Sequence, residues 1–365
     1  PSHTLHFLPS SADVDMSPKN EPAAALPALQ EVLDILFADV PAPRNAEAVT
    51  FARALYGRLA PEDLAARPAV EWAAKVRGML NFIRERKPGQ VKVWAYNPDL
   101  GEDGWETSHT VVQIVNDDMP FLVDSVGMAL AALDAQIHVI NHPVLDARRD
   151  PSGHLLALGE GERESVMHIE IDRQGEAEDL LRIERQIRAA LDDVRACVRD
   201  WAPMRDRLRT IAEELSSRTL PIDAAGRAEA QEFLRWVADD HFTFLGYREY
   251  VVTEQDGDEV LAAVDGTGLG VLRSNERKQA PRSLKSLAAH YMPQSGAVDA
   301  LILTKTNARS TVHRPGYMDY IGILRFDAQG RPVAEERFIG LFTSSAYNRR
   351  PWDIPLVRQR HDYVL

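Results

Sequence analysis

Apolar side chains recur every three or four positions from Leu180 to Trp201, and the rhythm resumes after Pro203 as far as Leu215. This spacing predicts a long helix that begins near Glu176 and carries one apolar stripe. A stripe sustained over so many turns seldom buries itself inside one small domain. The helix therefore either packs on a neighbouring module or subunit, or folds into a helical hairpin within its own domain. The sequence leaves both arrangements open.

The residues before this helix predict a sheet with a helix inserted. Strand patterns lie at 91–96, 110–115, 136–145 and 166–171, and a helix pattern that starts near Met119 separates the second strand from the third. Asp118 is expected at or beside the N-cap of that helix, with Pro120 in its first turn. Completed by the long helix, the order β-α-β-β-α describes most of a ferredoxin-like α+β sandwich.

A second module is predicted after the long helix. A helix pattern near 224–240 and a polar helical stretch near 283–292 accompany strand patterns at 241–247, 258–264, 299–305, 318–327 and 333–343. The last two strands are joined by a hairpin turn at 327–330. Mostly antiparallel strands with few helices are typical of a sensor-like α+β module, whose fold could be PAS-like or another.

These patterns divide the chain into six predicted parts. Residues 1–27 are rich in Pro, Ser, Ala and Asp and predict a flexible leader. Helix patterns near 29–37, 46–59 and 69–86, with a further helix start at Pro61, make a helical preface over 28–88. The sandwich domain takes 89–175, a helical connector 176–240, the second module 241–345, and a linker to a downstream region 346–365.

Charge and cysteine content limit the partners and the compartment. The chain has 42 Lys and Arg against 55 Asp and Glu, and its net charge of −13 argues against binding nucleic acid or an anionic membrane. The single cysteine, Cys197, excludes an internal disulfide and indicates a reducing compartment, which we expect to be the cytoplasm. No apolar run is long enough to predict a transmembrane helix.

The sequence motifs of common catalytic sites are missing. Glu164, Val271 and Arg273 stand where a third glycine would complete the dinucleotide motif Gly-x-Gly-x-x-Gly. Neither a Walker A loop nor the motifs His-Glu-x-x-His and Gly-x-Ser-x-Gly occur. Cys197 lies in a helical apolar pattern and is expected to be a small core residue. We therefore expect no catalytic residue, cofactor or metal within this chain.

Several segments form a distinctive set. They are 116–126 (NDDMPFLVDSV), 137–144 (IHVINHPV), 242–250 (FTFLGYREY), 311–315 (TVHRP) and 340–348 (GLFTSSAYN). In sequence order, they resemble segments of the N-terminal region of the large bacterial NAD-dependent glutamate dehydrogenases. The likeness covers roughly residues 28–365.

The resemblance implies a non-catalytic regulatory and oligomerisation region. The parent enzyme would convert L-glutamate to 2-oxoglutarate and ammonia with NAD, which would bind in a catalytic region downstream. The start at Pro1 and the absence of a natural stop signal favour a piece of a longer chain. Implied partners are the downstream catalytic domain, other subunits of a homo-oligomer and an amino-acid effector. The sandwich would be of ACT type. The alternative is a stand-alone amino-acid-binding ACT-type sensor.

The resemblance also suggests a ligand site. ACT domains typically bind an amino acid where the first strand turns into the first helix, because the helix N-terminus attracts a carboxylate. Residues 118–122 match the common ACT pattern Asp-x-Pro-Gly-Leu, except that phenylalanine replaces glycine. Alternatively, the first aspartate of the pattern only caps the helix. The expected ligand-binding residues are Asn116, Asp117, Asp118, Met119, Pro120 and Phe121.

Two other clusters are candidate sites. Basic and aromatic side chains concentrate in the second module at Lys305, Arg309, His313, Arg314, Tyr317 and Tyr320. Of these, Arg309, His313 and Arg314 are the expected anion ligands, and the alternative is a set of loop anchors and interface contacts. His138, His142 and His168 share one predicted sheet face and could hold a metal, although a polar sheet face is the expected arrangement.

Overall fold

The computed structural model describes residues 27–42, 44–274, 282–283 and 300–358. The chain divides into two compact units, with the boundary between Asp192 and Asp193. Among the described residues, each unit contains one antiparallel sheet accompanied by helices, so the predicted α+β class with two antiparallel sheets is confirmed. The predicted leader 1–27 before Pro27, and the predicted helical stretch 283–292 after Ser283, lie outside the described residues.

Among the described residues, four helices precede the first sheet, in the range predicted for the helical preface, and they are called the preface below. They are α1 (Pro27–Asp39), α2 (Arg44–Tyr56), α3 (Pro61–Ala65) and α4 (Ala69–Ile83). Proline occupies the start of α3, where its missing N–H leaves no helical hydrogen bond unmade. The apolar faces of the preface share one core with residues of the sheet, including Val115, Leu145 and Val166. The preface therefore covers one face of that sheet.

The first sheet has six strands among the described residues. They are β1 (Lys92–Tyr96), β2 (Thr110–Asp117), β3 (Ile137–Asn141), β4 (Val144–Arg149), β5 (Leu155–Leu158) and β6 (Glu162–Ile171). Their order is β1-β2-β6-β4-β5, and β3 pairs with the part of β6 that β4 leaves open. The short helices α5 (Leu100–Asp103) and α6 (Leu122–Ala131) lie between these strands in the chain.

The strand predicted at 136–145 was wrong in one respect, because the chain forms two strands there. Strands β3 and β4 are separated by His142 and Pro143. Proline has no N–H to donate to a sheet ladder, so it interrupts the pairing with β6. The Pro143 carbonyl still accepts a hydrogen bond from the Val166 N–H at 3.0 Å. Strand β5 was not predicted at all.

The outer edge of β1 is closed by side chains of the following long helix, α7 (Ala177–Glu214). The Ala95 N–H donates to Glu184 at 3.0 Å, and Arg188 donates to the Val93 carbonyl at 2.5 Å. Arg188 also pairs with Glu184 at 2.9 Å. An edge whose backbone groups are already bonded cannot accept a further strand, so β1 is protected against edge-to-edge association.

Helix α7 continues without a break through Pro203, whose ring is exposed. The boundary between the units falls inside this helix. In the second unit, Leu208 and Ile211 of α7, and Leu215 directly after it, share a core with Phe233 of α8 (Ala224–Trp236). The second half of the apolar stripe thus forms a hairpin with α8, as one of the two predicted arrangements requires. Cys197 is a buried core residue, as predicted.

The second sheet contains β7 (Phe242–Gln255), β8 (Asp258–Ala263), β9 (Leu269–Gly270), β10 (Arg282–Ser283), β11 (Leu301–Arg309), β12 (Tyr317–Phe326) and β13 (Pro332–Phe342). The order is β10-β8-β7-β13-β12-β11, with β9 beside β7. The predicted hairpin turn is confirmed, since Gly330 N–H donates to the Asp327 carbonyl at 3.1 Å. A short helix, α9 (Ser344–Tyr347), follows the last strand.

One detail of the second unit differs from the sequence pattern. Helix α8 ends at Trp236, and the residues up to His241 form a π-helical turn instead of continuing the predicted helix to 240. Asp240 has a left-handed backbone there, which ends the helix and starts β7. Among the described residues, no helix combines the length and the apolar character needed to cross a bilayer.

Candidate functional site

The predicted ligand-binding residues 116–121 form the turn between β2 and α6. Strand β2 ends at Asp117, and the helix begins at Leu122, later than the sequence predicted. Phe121 occupies the N-cap position with a φ of 72°, in the left-handed region. This region favours glycine, because a Cβ crowds the backbone there. The residue that replaces the glycine of the ACT pattern therefore keeps the backbone conformation of a glycine.

Asp118 does not cap helix α6, so that prediction was wrong. Its side chain pairs with Arg163 at 3.1 Å, and its N–H donates to the Arg163 carbonyl at 3.0 Å. The N-cap residue, Phe121, has no side-chain group that could accept a hydrogen bond. The cap position shifted because Pro120 and Phe121 extend the turn before the helical backbone begins.

Asp117 lies at the edge of a buried ion cluster. Arg86 donates to Asp117 at 2.8 Å and to Glu164 at 2.7 Å. Arg149 donates to both carboxylate oxygens of Glu164, at 2.6 and 2.8 Å. Burial would raise the pKa of the Glu164 carboxyl, but the hydrogen bonds from Arg149 and Arg86 outweigh burial and hold this pKa below its usual value. Through Asp117, the turn is thus connected to this buried ion cluster.

The remaining residues of the turn are mostly covered. Asn116 is buried, while Met119, Pro120 and Phe121 are half-buried. Burial lowers the pKa of His142, which follows β3, and the charge of Asp118 opposes this only in part. The net effect is a pKa below the usual value, so His142 is neutral at neutral pH.

The three histidines considered as metal ligands have separate partners. His138 Nε2 lies 2.6 Å from Asp172, His142 Nε2 lies 2.8 Å from the Ser165 hydroxyl, and His168 Nε2 lies 3.4 Å from Glu170. Within the described ranges, no group of three or more His, Cys, Asp or Glu side chains is arranged to hold a metal ion. The three-histidine arrangement is therefore not formed.

A buried network around Glu170 was not predicted. Lys75 of α4 pairs with Glu170 of β6 at 2.9 Å, and both side chains are about 5% exposed or less. Thr107 donates to the second carboxylate oxygen at 3.2 Å, and His109 Nδ1 lies 3.2 Å from that oxygen. The Lys75 ammonium also stands 4.2 Å from the centre of the Trp105 ring, within cation–π distance. This network joins the preface to the sheet.

Burial and the charges of this network shift the pKa values of its members. Burial would raise the pKa of Glu170, but the hydrogen bond from His168 and the charge of Lys75 hold it far below its usual value. Burial lowers the pKa of His168, and the hydrogen bond with Glu170 opposes this only in part. Burial also lowers the pKa of Lys75, against the attraction of Glu170. The signal for this network was a lysine on the apolar face of α4.

In the second unit, the expected anion ligands Arg309, His313 and Arg314 lie in and beside the loop between β11 and β12. Arg309 stacks over the Tyr317 ring at 5.3 Å. Arg314 donates to the Phe342 carbonyl at 2.8 Å. His313 has a φ of 74°, which marks a tight left-handed turn. The two arginines thus have different partners.

The other members of that basic and aromatic set are spread over the sheet. Lys305 pairs with Asp319 at 2.6 Å. Tyr320 is buried on the opposite face of β12, where Arg337 donates to its hydroxyl at 2.9 Å. Successive residues of a strand point to opposite faces, so Asp319 and Tyr320 cannot share one site.

Three of the distinctive segments meet in the second unit. Strand β7 contains the segment 242–250. Its first residues pair with residues 340–342 of β13, which begin the segment 340–348. Arg314, from 311–315, bonds to Phe342 and stands 6.0 Å from the Tyr347 ring. The Thr343 N–H donates to the His241 carbonyl at 3.0 Å. Segments far apart in sequence thus build one end of the sheet.

Comparison with known proteins gives a consistent result. The family described as glutamate dehydrogenase, ACT1 domain, matches residues 51–187. The NAD-specific glutamate dehydrogenase of Halomonas elongata is 36% identical over 353 residues, which is 94% of this chain and 22% of that protein. The enzyme of the same name from Pseudomonas aeruginosa is 33% identical over 84% of this chain and 19% of its own length. The chain belongs to the NAD-specific glutamate dehydrogenase family and corresponds to its N-terminal region.

Within this glutamate dehydrogenase family, the chain spans about a fifth of the length of the relatives it matches, 22% and 19% for the two named above. A third relative, from Mycobacterium tuberculosis, is 28% identical over 68% of this chain. The ACT1 match begins inside α2 and ends inside α7. It therefore includes the whole first sheet and the turn at 116–121, which supports the ACT-like fold of the first unit.

Proposed function

We propose that this chain is a non-catalytic regulatory and assembly region of an NAD-dependent glutamate dehydrogenase. The parent enzyme would oxidise L-glutamate to 2-oxoglutarate and ammonia, with NAD bound in a catalytic region outside this chain. The observation that carries the proposal is the ACT1 match over the first sheet, in a chain that spans 22% of its relative from Halomonas. The one buried cysteine supports action in the cytoplasm.

The first test is catalytic. The purified chain is incubated with L-glutamate and NAD, and NADH is followed by absorbance, with the full-length parent enzyme as positive control. We expect NADH formation from the parent and none from the chain. Turnover by the chain alone would refute the assignment of a non-catalytic region.

Assembly with other subunits is supported by the exposed edge at β3. Strand β3 pairs with β6 along one edge, and within the described residues no strand pairs with its other edge. Its Val139 and Ile140 side chains are 37% and 40% exposed. A strand edge with unpaired backbone groups and apolar side chains is a ready template for pairing with another chain. The opposite edge, β1, is closed by Glu184 and Arg188.

We therefore propose that β3 contributes to contacts between subunits, and sedimentation velocity of the chain tests this. Val139→Lys should lower the association constant at least tenfold, because a charged side chain on an edge strand disfavours pairing. Val333→Lys is the matched control, since Val333 is 40% exposed on β13 of the other sheet. Equal association of the two variants would exclude β3 as the contact.

An amino-acid effector at the 116–121 turn is the regulatory part of the proposal. Asp117 offers a carboxylate for the effector's ammonium group, and the N-terminus of α6 offers N–H groups for its carboxylate. A thermal-shift screen of the twenty amino acids tests this, with Asp117→Asn as the variant. Asp124→Asn is the control, because Asp124 is an exposed acid in the first turn of the same helix. A stabilisation lost only in Asp117→Asn supports the site.

A screen in which no amino acid stabilises the chain would leave assembly as its role.

We further propose that the second unit is a sensor-like module of the PAS kind. Its antiparallel sheet, with α7 and α8 packed on one face, supports this. Arg309, His313 and Arg314 would then anchor the loop beside β12, as the separate partners of the two arginines suggest.

A further inference from the structure

The second unit has a polar cleft that none of the predicted sites includes. The cleft has a volume of about 380 Å³ and lies between the last turns of α7 and the end of β12. The lining residues are Arg207, Glu214, Arg218, Thr219, Arg325 and Phe326. Three of them carry guanidinium groups, and one carries a carboxylate.

Two of the arginines are held in place by a buried carboxylate of the sheet. Glu336 of β13, 1% exposed, accepts hydrogen bonds from both Arg207 and Arg218. Arg207 Nε also donates to the Tyr247 hydroxyl at 3.2 Å. Arg218 bonds to Glu214, and Arg207 lies 3.6 Å from the same carboxylate. These contacts fix the guanidinium groups before any ligand binds, which lowers the entropic cost of binding.

The third arginine has no such partner. Arg325 is exposed at the irregularity near the end of β12, and its guanidinium group forms no ion pair or hydrogen bond with any residue that the structure describes. Thr219, also exposed, adds a hydroxyl group to the same cleft. A guanidinium fork and a hydroxyl that line the same cleft form a set of donors that matches an oxyanion.

The charges around the cleft balance in number, but they are not evenly paired. Glu214, the buried Glu336 and Glu249 all contact Arg207 or Arg218, which leaves the Arg325 guanidinium without a paired carboxylate among the described residues. Glu249, 3.7 Å from Arg207, lies behind that arginine and accepts a hydrogen bond from Tyr247. The half-buried Phe326 ring supplies an apolar wall for the uncharged part of a ligand.

From this arrangement we infer that the cleft binds a small molecule bearing an oxyanion, either a carboxylate or a phosphate. Arg325 provides the bidentate contact and Thr219 a hydrogen bond, while Arg207 and Arg218, held by their carboxylates, form the neighbouring wall. The inference is independent of the 116–121 turn, which lies in the first unit. Failure at one site would say nothing about the other.

Equilibrium dialysis of the purified chain tests the inference, with radiolabelled inorganic phosphate and succinate as probes at constant ionic strength. We expect saturable binding of at least one probe, and Arg325→Gln should weaken it at least tenfold. The affinity of Arg325→Lys should lie between those of the unchanged chain and Arg325→Gln, because lysine keeps the charge but loses the bidentate guanidinium. Arg235→Gln is the control, since Arg235 is exposed on α8 and has no ion pair with a described residue.

The two probes also identify the ligand class. Tighter binding of phosphate indicates a phosphorylated ligand, and tighter binding of succinate indicates a carboxylate ligand. Either result supports the cleft when only the Arg325 variants weaken binding. The inference would be overturned if neither probe bound saturably. It would also be overturned if Arg325→Gln and Arg235→Gln had equal affinities for the probe.

Discussion

Replacing Lys75 with methionine should strongly destabilise the first unit. Lys75 and Glu170 form an ion pair at 2.9 Å with side chains only 4% and 5% exposed, so neither charge can be solvated if the other is removed. Methionine has a similar length and suits the apolar surroundings of α4. The substitution therefore removes the positive charge without creating a large cavity.

The expected loss follows from burial. Breaking a buried ion pair by removing one partner typically costs about 3–5 kcal/mol, because the remaining charge stays desolvated. In Lys75→Met, Thr107, His109 and His168 still contact Glu170, which keeps the loss near the lower end of that range, about 3 kcal/mol. Glu170→Gln should cost about 3–5 kcal/mol, because it leaves the Lys75 ammonium buried without a counter-charge.

Urea denaturation at neutral pH, followed by tryptophan fluorescence, measures these losses. Trp72 and Trp105 flank the Lys75 ammonium at 4.9 and 4.2 Å, so their emission reports on this part of the fold. Lys92→Met is the control, because Lys92 donates only to backbone carbonyls among its described contacts, those of Phe82 and Glu85. It should cost about 1 kcal/mol.

The double variant Lys75→Met with Glu170→Gln separates the ion pair from general damage to the core. Two side chains in direct contact should not be additive, and we expect the double variant to be more stable than the sum of the single losses by about 2 kcal/mol. Additive losses, or a loss below about 1 kcal/mol in Lys75→Met, would refute the claim that this pair joins the preface to the sheet.

Three further results are expected. Because the pKa values of Glu164 and Glu170 are held low in the folded state, their stabilisation is complete above the unfolded carboxyl pKa, about 4.3, and is lost as the pH falls below it; urea midpoints across this range measure the loss. Phe121→Gly should be about 1 kcal/mol more stable than Phe121→Ala, since only alanine keeps the left-handed strain, and an equal midpoint would contradict this. Replacing Glu184 and Arg188 with alanine should uncover the β1 edge and produce concentration-dependent association in sedimentation, whereas unchanged sedimentation would show that the edge needs no cover.

Much of the fold could be predicted from periodicity, because the period of the apolar pattern follows directly from strand and helix geometry. The patterns at 110–115 and 166–171 correspond to β2 and β6, and the stripe beginning at Leu180 corresponds to α7. The division into β3 and β4 was missed. A single proline inside an alternating pattern changes the pairing but barely changes the hydropathy, although Pro143 was itself a visible signal.

The buried network was missed for a different reason. Lys75 and Glu170 are 95 residues apart, and the spacing of residues along a chain does not show which helix packs on which strand. A lysine on an apolar helix face should still have prompted a search for a carboxylate, because a buried ammonium is rarely left unpaired. The partner could not be named until the fold placed α4 over β6.

Phe121 joins the sequence pattern to the chemistry of the candidate site. A bulky residue with a φ of 72° costs on the order of 1–3 kcal/mol and persists only when its surroundings enforce it. Those surroundings are visible, since Asp117 is tied to Arg86, Asp118 is tied to Arg163, and Pro120, directly before Phe121, has its own φ fixed by its ring. The turn therefore keeps a glycine-like backbone conformation at the position of the glycine in the ACT pattern, although a phenylalanine occupies it. An effector bound here would contact that ring as well as the helix N-terminus, so removing the ring should change which amino acids bind, not only how tightly.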